Sequence, residues 1–176
     1  MEERYCAFLR GVNVQGTRMR MAEVCAVFEQ TGQYNVSSVL ASGNILFSSN
    51  QDKASIEKGL EKAMSAHFKY EAFLFVKTAK EVQQIYRQQP FTPASDFHIY
   101  GFIGVEGIEQ ILMEAFEKVA KVDGEEASIV QDNYYWKVPK SLTLESEFGK
   151  ILGRKDMKNA FTSRNLNTFE KVLKKI

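Results

Sequence analysis

Apolar residues recur along the chain in two periods, and the switches between them outline the elements. Residues 4–10, Arg-Tyr-Cys-Ala-Phe-Leu-Arg, form a short apolar run rich in aromatic and buried residue types and read as a strand. A polar loop punctuated by Gly11 and Gly16 follows. From Met21 the period lengthens. Met21, Val24, Cys25 and Phe28 share one helix face, and Gly32 is placed to end that helix. Val36, Val39 and Leu40 lead into the turn-forming Ala41-Ser42-Gly43-Asn44, and Ile45-Leu46-Phe47 resumes, so residues 36–48 read as a hairpin. Asp52 caps a second helix with Ile56, Leu60, Ala63, Met64 and Phe68 on its apolar face, and residues 73–76 form another strand. Residues 4–77 therefore predict β-α-β-β-α-β, the ferredoxin-like succession: an antiparallel sheet covered by helices on one face.

A third helix starts at Thr78, with Glu81 at capping-box distance, and ends before Pro90. The segment 90–96 holds two of the three prolines and marks a boundary. Residues 97–105 read as a strand, and Ile108, Ile111, Leu112, Ala115 and Val119 mark a helix. Residues 127–131 and 134–138 form a hairpin about Asp132-Asn133. From Glu145 the chain reads as helix broken by Gly149, Gly153 and a polar run at 162–168. A last helix carries Phe169, Val172, Leu173 and Ile176. The expected fold class is α+β in two α/β lobes, 1–89 ferredoxin-like and 90–176 ending in a C-terminal helix. The halves share no visible sequence similarity, and no repeat is read from them.

With 44% hydrophobic residues, 13 Phe and 7 Tyr, the chain has the material for a core, which excludes a disordered or collagen-like polymer. Cys6 and Cys25 are too few for a disulfide scaffold, lack metal-ligand spacing and read as buried thiols. The apolar run near the N-terminus is shorter than a signal peptide's, and no stretch approaches the ~20 apolar residues of a membrane span. These features predict a cytoplasmic protein without a membrane partner. The net charge of +1 is a cancellation. Residues 1–20 carry four basic and two acidic side chains, residues 21–149 carry 11 and 18, and residues 150–176 carry eight and two.

Three ordered segments are more specific: Tyr5-Cys-Ala-Phe-Leu-Arg-Gly-Val-Asn-Val-Gln-Gly16 with Met21-Ala-Glu23, then Ala41-Ser-Gly-Asn-Ile-Leu-Phe47, then Thr162-Ser-Arg-Asn-Leu-Asn-Thr168. Together they resemble the bacterial family known as domain of unknown function 1697. The departures are Val12 for the usual Ile, Gln15 for the first Gly of a pair, Ala41 for Gln and Leu166 for Trp. The last of these removes an aromatic ring that a stacking platform there would need. The resemblance implies two related α+β lobes and a bacterial cytoplasmic protein, and it implies no settled activity.

The same segments supply the candidate ligand-binding residues. In the first, Arg10, Gly11, Asn13, Gly16 and Arg18 lie where a strand passes through a glycine loop to a helix start, an arrangement that offers backbone N–H groups to an anion. The alternative is a tight turn with solvated arginines. Ser42 and Asn44 flank Gly43 and serve either a ligand or the hairpin turn. In a ferredoxin-like order we expect this turn at the opposite end of the sheet from the Arg10 loop. Thr162, Arg164, Asn165, Asn167 and Thr168 serve either a helix cap, with Thr168 as the cap, or a grip on phosphate or a base edge.

Catalytic signals are thin. His67 reads as a solvated helix-terminal residue, and His98 starts a strand without a nucleophile motif. Glu57 and Glu61 read as a like-charged pair on a solvated face, and Glu114–Lys118 as a favourable one. In Tyr134-Tyr135-Trp136, one or two rings face the core and the other is open to the surface. No metal or cofactor is expected. The leading reading is a non-catalytic module that binds an anionic small molecule or nucleic acid, a nucleotide or RNA, with Phe8 and Phe47 either as stacking positions or as core residues. One alternative is an enzyme acting on a small phosphorylated or carboxylated metabolite between the lobes; another is a structural or protein-interaction module.

Overall fold

A computed structural model describes residues 3–12, 18–157 and 159–176. The chain divides into two units, Met1–Gln83 with Glu170–Ile176, and Gln84–Phe169. The elements are β1 (Glu3–Arg10), α1 (Met21–Gln30), β2 (Tyr34–Val39), β3 (Asn44–Ser49), α2 (Lys53–Phe68), β4 (Phe73–Thr78) and α3 (Ala79–Arg87). They continue with β5 (Phe97–Gly104), α4 (Ile108–Glu117), β6 (Glu126–Val130), β7 (Asn133–Pro139), α5 (Glu147–Leu152), β8 (Phe161–Asn165) and α6 (Leu166–Leu173).

The first sheet has the order β2-β3-β1-β4, with every neighbouring pair antiparallel. Val24, Val27 and Phe28 of α1 and Ile56, Leu60 and Met64 of α2 pack on Tyr5, Ala7, Leu9, Ile45, Phe47, Leu74 and Val76, as the helical periodicity predicts. Cys6, Phe8 and Leu46 project to the other face and are also fully buried. Burial on both faces explains why β1 and β3 read as unbroken apolar runs rather than as alternation. Asp52 accepts the Ser55 N–H at 3.0 Å and so caps α2. Thr78 and Glu81 form the expected capping box: Glu81 N–H donates to the Thr78 hydroxyl at 3.1 Å, and Thr78 N–H donates to the Glu81 carboxylate at 2.7 Å.

The second sheet has the order β6-β7-β5-β8, the same topology as the first, so the fold contains a repeat that the sequence conceals. Ile108, Leu112 and Phe116 of α4 and Phe148 of α5 cover Phe102, Tyr134, Trp136 and Phe161. Ile85 of α3 and Phe169 of α6 lie against the opposite face. A Cβ on Gly101 would come within 3.1 Å of Ile85 and 3.0 Å of Phe169, so β5 passes close beneath them and even a methyl group there would press on both.

Three expectations need correction here. Residues 161–165 are the edge strand β8, not a polar break in a helix. Its inward residues include Thr162 and Arg164, so it lacks an apolar period. The second hairpin turns on Gln131 and Asp132, both with positive φ, one residue earlier than expected, as a two-residue type I′ turn requires. Finally, Tyr134, Tyr135 and Trp136 are all buried, because both faces of β7 are covered. Tyr135 donates to the Ile85 carbonyl at 2.7 Å, and the Trp136 indole N–H donates to Glu125 at 2.9 Å.

Candidate functional site

The first two motifs meet at one end of the first sheet. β1 pairs with β3 so that Phe8 faces Asn44, and β2 closes on the same residue through Val39. Leu9 N–H donates to the Gly43 carbonyl at 2.8 Å. The expectation that these loops lie at opposite ends is therefore wrong. α1 carries the chain back along the sheet, so β2 runs parallel to β1 and both strands finish at the same end.

Around this junction Ser42 is exposed, and Arg10, Gly11 and Val12 are half-buried. Asn44 is fully buried, and its amide donates to the Val39 carbonyl at 2.8 Å and the Ser42 hydroxyl at 3.0 Å, which pins the turn. Gly43 has φ +78° and lies against Leu9 and Val12. Arg10 ends β1 half-buried, and burial pulls its guanidinium below the usual arginine range. Gly11 has φ +76°, and Arg18 and Arg20 are exposed at the approach to α1. Asn13 and Gly16 lie outside the described residues.

The third motif belongs to the second unit. Thr162 and Arg164 share one face of β8 and are buried. The Arg164 guanidinium donates to the Thr162 hydroxyl at 2.7 Å and the Ser163 carbonyl at 2.8 Å. The helix start comes earlier than expected. Asn165, not Thr168, is the cap of α6: its side-chain oxygen accepts the Thr168 N–H at 3.0 Å and the Thr168 hydroxyl at 3.1 Å.

Asn165 and Asn167 line a cleft of about 130 Å³ together with His98 and Lys140. Sheet register assembles it. Phe97 pairs with Pro139 and Tyr100 with Asn165, so the start of β5 lies beside the ends of β7 and β8. Lys140 follows β7 directly, and its N–H donates to the Asp96 carbonyl at 2.9 Å. Burial, and then the charge of Lys140, lower the His98 pKa, which favours a neutral imidazole. No Asp or Glu is among the described residues lining the cleft. Sequence reasoning set His98 aside and passed over Lys140, because only the β5–β7 pairing brings them together.

Phe8 and Phe47 are fully buried, so of the two readings open for them the core one holds and stacking does not. Among the described residues no group of three or more His, Cys, Asp or Glu could hold a metal ion. No described helix is long and apolar enough to cross a membrane.

Residues 2–135 match the family described as protein of unknown function DUF1697. Among solved structures, the conserved bacterial protein SP0830 from Streptococcus pneumoniae is similar over 99% of this chain and 98% of its own, with a TM-score of 0.79 at 22% identity, a likeness of fold. An unknown protein from Galdieria sulphuraria aligns over 94% of this chain and 99% of its own at 12% identity, with a TM-score of only 0.30. No curated protein matches the sequence.

Proposed function

The chain belongs to the DUF1697 family of proteins of unknown function, and from the cleft in its second unit we propose a non-catalytic module that binds the anionic group of a small ligand, such as a nucleotide phosphate. One observation carries this reading, a difference between two topologically equivalent helix starts. In each unit the last strand runs directly into a helix, Thr78 into α3 and Asn165 into α6. Three residues after Thr78 stands Glu81, whose carboxylate takes the Thr78 N–H and lies 3.0 Å from Lys53 and 3.6 Å from Lys77. That helix start holds an anion of the protein's own.

Three residues after Asn165 stands Thr168, which is neutral, and beside it opens the cleft lined by Lys140 and His98. A helix start carries roughly half a positive charge. With a lysine adjacent and no carboxylate among the described lining residues, an external anion is favoured there. The cleft volume of about 130 Å³ suits one phosphate or carboxylate group. Pockets that enclose a whole small ligand run to roughly 300–1,000 Å³, so the rest of the ligand would lie outside.

In this reading Asn165 and Asn167 touch the ligand, while Asn44, Arg164 and Thr168 serve the fold. Burial of Phe8 and Phe47, the two rings offered for stacking, speaks against an RNA strand as the partner. The described residues of the cleft lining include no Ser, Cys or carboxylate to work with the His98 imidazole. A bacterial cytoplasm fits the two reduced thiols.

The test is titration of isotope-labelled protein with inorganic phosphate and with a nucleoside monophosphate. Saturable shifts at His98, Asn165 and Asn167, weakened about tenfold by Lys140→Ala and by added salt, are expected. Scattered, unsaturable shifts at millimolar phosphate would overturn the proposal.

A further inference from the structure

β4 is an edge strand of the first sheet, and its first four residues, Phe73-Leu74-Phe75-Val76, are uncharged and apolar, with Lys77 and Thr78 following. An edge of that composition is a template for a second copy of the same strand. In an antiparallel pair, alternate residues turn their backbone groups away from the partner. On β4 these are Leu74, Val76 and Thr78, and each outward N–H ends on a glutamate. Leu74 donates to Glu61 at 3.3 Å, Val76 to Glu57 at 2.8 Å and Thr78 to Glu81 at 2.7 Å. Just before the strand, Ala72 N–H donates to the Ser65 hydroxyl at 2.9 Å.

The match is one of geometry. Glu57, Glu61 and Ser65 stand four residues apart on α2, and their acceptors serve backbone groups two residues apart on β4. Four residues of helix advance about 6 Å and two residues of strand about 6.7 Å, so a helix packed along the strand presents one side chain per outward amide. Glu57 and Glu61 are therefore not the solvated pair that periodicity suggests. We propose that this row of side chains is a guard that keeps β4 from adding a strand of a second copy of this chain. It works by occupancy: the acceptors take up the outward donors that a new strand would need.

Three variants of the full chain test the guard: Glu57→Ala, the double variant Glu57→Ala/Glu61→Ala, and the double variant Glu57→Gln/Glu61→Gln. Light scattering after size-exclusion chromatography is expected to show the double Ala variant associating at concentrations where the wild type does not. The Gln variant, whose carbonyls still accept, is expected to stay near wild type. Amide exchange gives a local readout that survives marginal folding. Glu57→Ala is expected to speed exchange at Val76 at least tenfold and to leave Leu74 near its wild-type rate. A folded double Ala variant with unchanged association, or unchanged exchange at Val76, overturns the proposal. Equal association of the Gln and Ala variants does the same, because charge alone would then be the barrier.

Discussion

Asn165 holds Thr168 by two hydrogen bonds to one oxygen, from the backbone N–H at 3.0 Å and from the hydroxyl at 3.1 Å. The same side chain lines the cleft, so its two roles can be separated. Asn165→Ala removes the cap and is expected to lower stability by about 1 kcal/mol. Asn165→Asp keeps a capping oxygen but adds a negative charge where an anion would sit. Thermal unfolding should place the Asp variant near wild type, while phosphate titration should find its binding lost.

Gly43→Ala tests the junction of the two motifs in the first unit. The added methyl group would lie 2.8 Å from a Val12 methyl and 2.9 Å from the Leu9 Cβ, on a backbone with φ +78°. Denaturant unfolding is expected to show a loss of about 1–3 kcal/mol.

Tyr134 sits in the second core, and its hydroxyl has no hydrogen-bond partner among the described residues. Burial, with the charge of Glu125 adding to it, pushes its phenol well above the usual range. Removing an unmatched buried hydroxyl relieves its desolvation cost. Tyr134→Phe is expected to leave stability unchanged or to raise it by about 1 kcal/mol, as read from the denaturant midpoint.

The glutamates of the β4 edge respond to acid with opposite signs. Burial works against the Glu81 carboxylate, but the Thr78 N–H, Lys53 and Lys77 outweigh it and hold its pKa below the usual range. Its stabilising contribution is complete above the unfolded-state pKa and fades as pH falls through the folded value. Burial raises Glu61, with the Leu74 N–H opposing and the Glu57 charge adding to it. Acidification through that raised value therefore relieves a cost. In denaturant midpoints measured from pH 7 to pH 3, the deficit of Glu81→Gln should shrink toward acid. The difference between wild type and Glu61→Gln should move the other way.

His98 offers a spectroscopic check on the cleft. Its imidazole should titrate below the ordinary histidine value, with burial the larger cause and Lys140 the smaller. Lys140→Met is then expected to bring it part of the way back, and bound phosphate to raise it further. Proton NMR across pH 5–8 reads both effects, and a His98 pKa indifferent to phosphate would count against the cleft as an anion site.

The first unit was legible because its helices bury regular apolar stripes, such as Ile56, Leu60 and Met64, and its strands are unbroken apolar runs. β8 was not, because two of its three buried residues are Thr162 and Arg164, and Phe161 alone makes no hydrophobic period. The repeat was hidden for a related reason: strand order is conserved between the units while residue pattern is not. Glu57 and Glu61 were misread because amphipathic patterning sorts polar side chains toward water and cannot see a strand edge waiting for acceptors. Lys140 and His98 carry no local signal at all. Sheet register alone makes them neighbours.

The first unit is also discontinuous in the chain, since it takes in Glu170–Ile176 after the whole of the second has passed. On a ribosome the second unit's residues are therefore all made before the first unit's last ones. The earlier-begun lobe is the later to be completed, and until residues 170–176 are made its nascent form lacks that segment.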